Sequence, residues 1–169
     1  MIRVFKLNWK LYLIEAWALG MFMISAILFT MLFEHPSFYF KTANSSSLER
    51  RFFTGLAMGA TAVFLIYSGW GKKSGAHMNP AVTLTFLLLK RISRVDAFFY
   101  IVAQFIGGLL GVLLVLLFFP SFVKDASVNY VVTIPAGNGI MAAFIYEFLM
   151  SFILIGTILL VSCQVYYVC

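Results

Sequence analysis

Five stretches of this chain carry no Asp, Glu, Lys or Arg: residues 16–33, 52–71, 97–123, 126–146 and 148–169. A helix needs about 20 predominantly apolar residues to cross the hydrocarbon core of a bilayer. Runs of this length leave a water-soluble fold no way to hide its apolar surface, so the chain is predicted to be an all-α integral membrane protein. Lys6 and Lys10 precede the first run as they would in a secretory leader. No small-x-small cleavage site follows, however, and four further apolar runs do, so a cleaved leader is not expected.

Composition agrees. Only 11% of residues are charged, where a soluble domain carries about 25%. That excludes an ordinary soluble enzyme and a disordered chain. The net charge is +6, but the cations lie in short clusters between apolar runs rather than on one face, so no nucleic-acid partner is expected. Cys163 and Cys169 are the two cysteines, and no Cys/His spacing suggests a metal site or other cofactor.

Four spans are predicted, at 11–33, 52–71, 96–119 and 140–163, within a single membrane domain covering 1–169. The connections 34–51 and 120–139 are turn-rich: the first holds a Pro and Ser45-Ser46-Ser47, the second Pro120, Pro135, Gly137, Asn138 and Gly139. Segment 72–95 differs. Its middle, MNPAVTLTFLLL at 78–89, is apolar but too short to span, which suits a re-entrant or interfacial element, placed at 74–90. Arg3, Lys6, Lys10, Lys72, Lys73, Lys90, Arg91 and Arg94 fall on one side of such a bundle. Lys41, Arg50, Arg51 and Lys124 fall on the other. The positive-inside bias then places both termini and the re-entrant segment in the cytoplasm. Gly55 with Gly59, and Gly107 with Gly111, have the spacing of tight helix packing in lipid.

The chemistry concentrates at 74–83, Ser-Gly-Ala-His-Met-Asn-Pro-Ala-Val-Thr. Asn is a preferred N-cap and Pro a preferred first helical residue. Asn79 is therefore expected to cap a helix starting at Pro80, its side-chain oxygen accepting from the Val82 N–H and its amide NH2 free to donate outward. The helix N-terminus adds a partial positive charge of about half an electron. Gly75 and Ala76, with minimal side chains, let an extended backbone approach a file of polar molecules and offer it carbonyl acceptors.

SGAHMNPAVTL resembles the first Asn-Pro-Ala loop of the aquaporin, or major intrinsic protein, family. Further along, Glu15, Gln104 with Tyr100 and Gly107, Gly108 and Gly111, and Glu147 fit the same resemblance, Glu15 and Glu147 at matching places in the first helix of two inverted repeats. The resemblance implies an aquaporin-like bundle of four transmembrane helices plus one re-entrant half-helix, incomplete because it holds the first repeat and the first helix of the second. There are departures. No second Asn-Pro-Ala occurs, since Asn8, Asn44, Asn129 and Asn138 are not followed by Pro, and no Arg follows Arg94 to fill the family's filter position. The chain looks like a truncated or naturally shortened member.

The resemblance implies a pore centred on Asn79, Pro80, Ala81 and Val82, with the carbonyls of Gly75, Ala76 and His77 lining it and the His77 ring bracing the loop. Glu15, Gln104 and Glu147 are expected to be buried structural polar residues, the two carboxylates accepting from loop backbone. Gly59 or Ala60 falls where water-selective members carry a bulky aromatic, which leans toward wider solutes. The expected function is passive passage of water or small neutral solutes such as glycerol, with the lipid bilayer as surroundings and a partner chain or oligomer supplying the missing half. The alternative is a non-conducting membrane protein that associates with full-length relatives. No clustered nucleophile, base or metal ligands support an enzyme.

Overall fold

A computed structural model describes residues 2–42, 46–135 and 139–166, with side chains as far as Val161. Asn44, Gly137, Asn138, Cys169 and the side chain of Cys163 lie outside the described residues. The described residues are helical, with no β-strand: α1 Ile2–Glu34, α2 Tyr39–Thr42, α3 Ser47–Tyr67, α4 Gly71–Ser74, α5 Pro80–Leu88, α6 Arg94–Phe118, α7 Pro120–Lys124 and α8 Ile140–Tyr166, with one 3-10 turn at Asn129–Val131. The chain divides into two units, Met1–Val132 and Thr133–Cys169.

Three helical segments among the described residues are long and apolar enough to cross a membrane: Ile2–Thr42, Arg94–Phe118 and Ile140–Val161. The protein is thus an all-α integral membrane protein. Helix α3 is also long, at 21 residues, but Glu49, Arg50 and Arg51 occupy its first turns. It starts earlier than the expected 52 because Ser46 and Glu49 close a reciprocal capping box. It stops at Tyr67 because Ser68 is extended.

Helix α1 begins at Ile2 rather than at 11, and its 33 residues reach about 50 Å at 1.5 Å each. Its two ends are pinned by carboxylates. Near the N-terminus, Asp96 accepts from Asn8 Nδ2 (2.9 Å), Tyr12 Oη (2.7 Å) and Ser93 Oγ (2.6 Å). Ser93 also caps α6 by accepting from the Asp96 N–H. At the C-terminus, Glu34 pairs with Arg50 Nε at 3.0 Å and Lys41 Nζ at 3.4 Å, tying α1 to the start of α3. Between these ends α1 crosses α6 through Ala16, Gly20, Gly107 and Gly111. A Cβ on Gly107 would land on the Ala16 carbonyl oxygen, and one on Gly111 would lie 2.5 Å from that of Gly20. Beyond the crossing, Ile27, Met31, Val115, Val123 and Val128 form the apolar core.

The expected packing role of Gly55 and Gly59 is not seen among the described residues: none of them lies within 4 Å of a Cβ built on either. Both face outward on α3. Elsewhere the helices display large apolar side chains such as Phe105, Leu109 and Leu117 to the surroundings, as hydrocarbon rather than water requires. In the second unit, α8 has no buried residue along its described side chains.

Candidate functional site

The site begins where α4 ends. Gly75 is left-handed (φ 89°) and closes α4 through its N–H to the Gly71 carbonyl at 2.9 Å. Ala76 (φ 45°) and Met78 (φ 48°) are left-handed too. For residues with a Cβ that conformation costs about 1–2 kcal/mol each, so the surroundings must hold it. Glu15 does most of this. Fully buried on α1, its carboxylate accepts the N–H of His77 on Oε1 (3.1 Å) and the N–H of Met78 on Oε2 (2.9 Å). A third donor is Gln104 Nε2 on α6, 2.8 Å from Oε2. An isolated buried carboxylate is prohibitive in hydrocarbon, whereas one with three donors is held by charge-assisted bonds of about 1.5–3 kcal/mol each.

The remaining bonds converge on Thr83 of α5. Its hydroxyl receives Gln104 Nε2 at 3.1 Å, pairs with His77 Nδ1 at 3.1 Å and reaches back to the Asn79 carbonyl at 3.3 Å. The His77 ring stacks on Phe86, with centroids 4.8 Å apart, and meets Tyr100 edge-on. Tyr100 in turn donates to the Ser74 carbonyl at 2.8 Å, and Ser74 Oγ accepts the Ala76 N–H at 3.1 Å. One network thus runs from α1 through α6 to both ends of the loop. One buried atom in it, Gln104 Oε1, has no partner among the described residues.

What this network presents is Asn79. The residue is extended (φ −153°, ψ 126°) and exposed, with Pro80 opening α5 behind it. Its Oδ1 accepts the N–H of Ala81 at 2.8 Å, not that of Val82 as expected. The extended cap carries the side chain over the second helical residue, so the bond closes as an Asx-type turn. Val82 is buried rather than open. The Asn79 Nδ2 has no partner among the described residues, and neither do the carbonyl oxygens of Gly75, Ala76, His77 and Met78. The loop therefore offers four acceptors and an amide donor beside a helix N-terminus.

The other sequence-selected positions lie apart from this cluster. Gly59 and Ala60 are exposed on α3, and Glu147, expected to be buried, is exposed on α8. Sequence reasoning missed Thr83, Ser74 and the Asn8–Tyr12–Asp96 clasp. The one signal pointing to Thr83 is its place four residues after Asn79. Among the described residues no three His, Cys, Asp or Glu side chains gather to hold a metal ion.

A family model for the major intrinsic protein matches residues 4–165. The chain belongs to the major intrinsic protein family. Members of this family are channels, not enzymes. Among similar proteins, Aquaporin-B of Dictyostelium discoideum is 37% identical over 64% of this chain and 37% of its own length. Aquaporin-1 of Pongo abelii is 36% identical over 62% of this chain and 37% of its own length. Glycerol uptake facilitator protein-like 6 of Lactiplantibacillus plantarum is 36% identical over 64% of this chain and 49% of its own length. The aligned stretch thus spans half or less of each relative. No solved structure matches the chain.

Proposed function

We propose that this chain contributes one half of a passive pore for water and small neutral solutes such as glycerol. The observation that carries the reading is the Asn79 amide set at the N-terminus of α5, preceded in the loop by four carbonyl oxygens, of Gly75, Ala76, His77 and Met78, with no partner among the described residues. A permeating hydroxyl donates to the carbonyls and accepts from Asn79 Nδ2, replacing the hydrogen bonds it leaves in bulk water. The positive end of α5 disfavours cations and protons at the same point.

In this reading α3 is a fourth span, with 40–50 outside and both termini and 90–94 in the cytoplasm. Single cysteines introduced at 40–50 and 90–94, in a background lacking Cys163 and Cys169, should label from opposite sides of sealed vesicles. Labelling of both from one side removes the four-span topology.

Polar backbone at membrane depth must be enclosed by protein or water, and Asn79 is exposed. A further polypeptide surface, from a relative or from another copy, therefore completes the pore. The eight-to-four cation bias disfavours an inverted copy, since dual topology needs a weak bias. Stopped-flow swelling of proteoliposomes, with glycerol and water measured side by side and cross-linking fixing the oligomeric state, tests this. Asn79→Ala should lose about 1 kcal/mol of stability as a lost cap and a larger share of permeability. Unchanged permeability in that variant would sink the pore assignment. Fast, proton-tight flux from demonstrated monomers would sink the requirement for a second surface. If no assembly conducts, the alternative stands, a non-conducting protein that associates with its relatives.

A further inference from the structure

We propose that the face formed by the first turns of α1 and by α4 is a binding surface for the headgroups of anionic phospholipids in the adjoining leaflet. Arg3, Lys6 and Lys10 are all exposed and recur at i, i+3 and i+7, so they form one stripe on α1. The opposite side of the same turns is occupied, since Asn8 and Tyr12 bind Asp96 of α6. Seven residues on from Lys10 the stripe continues to Trp17, whose ring meets Trp70 edge-on with centroids 5.0 Å apart. Trp70 leads directly into Lys72 and Lys73 of α4, both exposed. Two segments far apart in sequence, three cations on α1 and two on α4, are thus joined through the Trp17–Trp70 contact.

Three features select a lipid rather than a soluble anion. First, α1 overruns the hydrocarbon core of about 30 Å, so its first turns lie at headgroup level. Second, exposed Ile2, Phe5, Leu7 and Trp9 share those turns with the cations, the mixture of apolar, aromatic and basic side chains that an interface favours. Lys10 Nζ lies 5.9 Å from the Trp9 ring centre and Lys72 Nζ 5.7 Å from that of Tyr67, as snorkelling stems would. Third, the carboxylates nearest in the fold, Asp96 and Glu15, are committed to bonds on the other face of α1. The stripe therefore has no acidic side chain of its own to neutralise it.

The chain's three tryptophans, Trp9, Trp17 and Trp70, all sit on or beside this face, so its lipid contacts can be read by their fluorescence. The whole chain is reconstituted in phosphatidylcholine bilayers containing either dibrominated phosphatidylglycerol or dibrominated phosphatidylcholine. Quenching by the anionic lipid should exceed that by the zwitterionic lipid at equal mole fraction. The excess should shrink as salt is raised. Neutralising Lys6, Lys10, Lys72 and Lys73 to Gln should reduce the selectivity by roughly fivefold per cation, and Lys72→Gln/Lys73→Gln alone should reduce it in part. Lys124→Gln, beyond the far end of α6, should leave it intact. Equal quenching by the two lipids in the unaltered chain overturns the proposal without recourse to any variant. So does full selectivity in the neutralised chain. Loss of selectivity to inorganic phosphate at matched ionic strength would make the face a site for free phosphate instead, and would also overturn it.

Discussion

Glu15→Ala is expected to release the 74–80 loop and to destabilise the protein by about 3 kcal/mol or more. Three donors end on the Glu15 carboxylate: the N–H groups of His77 and Met78 and the side-chain amide of Gln104. Leaving a buried donor unpaired costs about 1–3 kcal/mol, and removing one partner of a buried charged cluster is the costly kind of change. The two backbone donors belong to the stretch whose left-handed Ala76 and Met78 are sustained by these bonds. Their loss therefore lets the loop relax to ordinary φ values and moves Asn79 with it. Glu15→Gln keeps one acceptor oxygen but turns an NH2 toward the other donor, so it should fall between the parent and alanine. Thermal unfolding in a lipid-like micelle, with hydrogen exchange read at the His77 and Met78 amides, checks the prediction. Protection at both amides that survives Glu15→Ala would show that Glu15 is not what holds the loop.

Much of this site is legible in the amino-acid sequence, because its signals are local. Asn followed by Pro between apolar runs fixes a helix start, and α5 begins at Pro80. An uncompensated Glu inside an apolar run demands a partner, and Glu15 is fully buried with three of them. Sequence does not say that the donors come from positions more than sixty residues away. Thr83 is hard to single out because one threonine within an apolar half-helix carries no mark of its own, and its role exists only once α6 brings Gln104 beside it. The left-handed Ala76 and Met78 carry no local signal, since neither residue type prefers that conformation. Small-residue spacing is half informative. Gly107 and Gly111 meet α1, whereas Gly55 and Gly59 have the same spacing and meet nothing among the described residues. Spacing identifies a face, and only the fold supplies what lies against it. The first turns of α1 fall outside the predicted span because their charges argue against hydrocarbon.

The α1–α6 crossing provides the sharpest separation between neighbouring residues. Gly107 and Gly108 are adjacent and chemically identical, yet their surroundings differ in kind. A methyl on Gly107 collides with backbone, the Ala16 carbonyl, while one on Gly108 meets the flexible end of Leu19 at an ordinary 3.5 Å. Backbone cannot step aside as a side chain can, so Gly107→Ala must push the two helices apart. Overpacking costs typically about 1–3 kcal/mol and occasionally more, and this case belongs at or above the top of that range. Gly108→Ala instead gains up to about 1 kcal/mol of helix propensity and should be neutral or stabilising. The damage at Gly107 should also spread to the site. Ala16 follows Glu15 directly and Gln104 lies one turn before Gly107, so separating the helices stretches the Gln104–Glu15 bond of 2.8 Å. Gly107→Ala and Glu15→Ala combined should therefore destabilise by less than the sum of the two, as coupled neighbours do. Denaturant titration in micelles of the two glycine variants and of the double variant measures all of this. Equal midpoints for Gly107→Ala and Gly108→Ala would mean that the helices are not in backbone contact at Gly107, and strict additivity would mean that the crossing does not position the carboxylate.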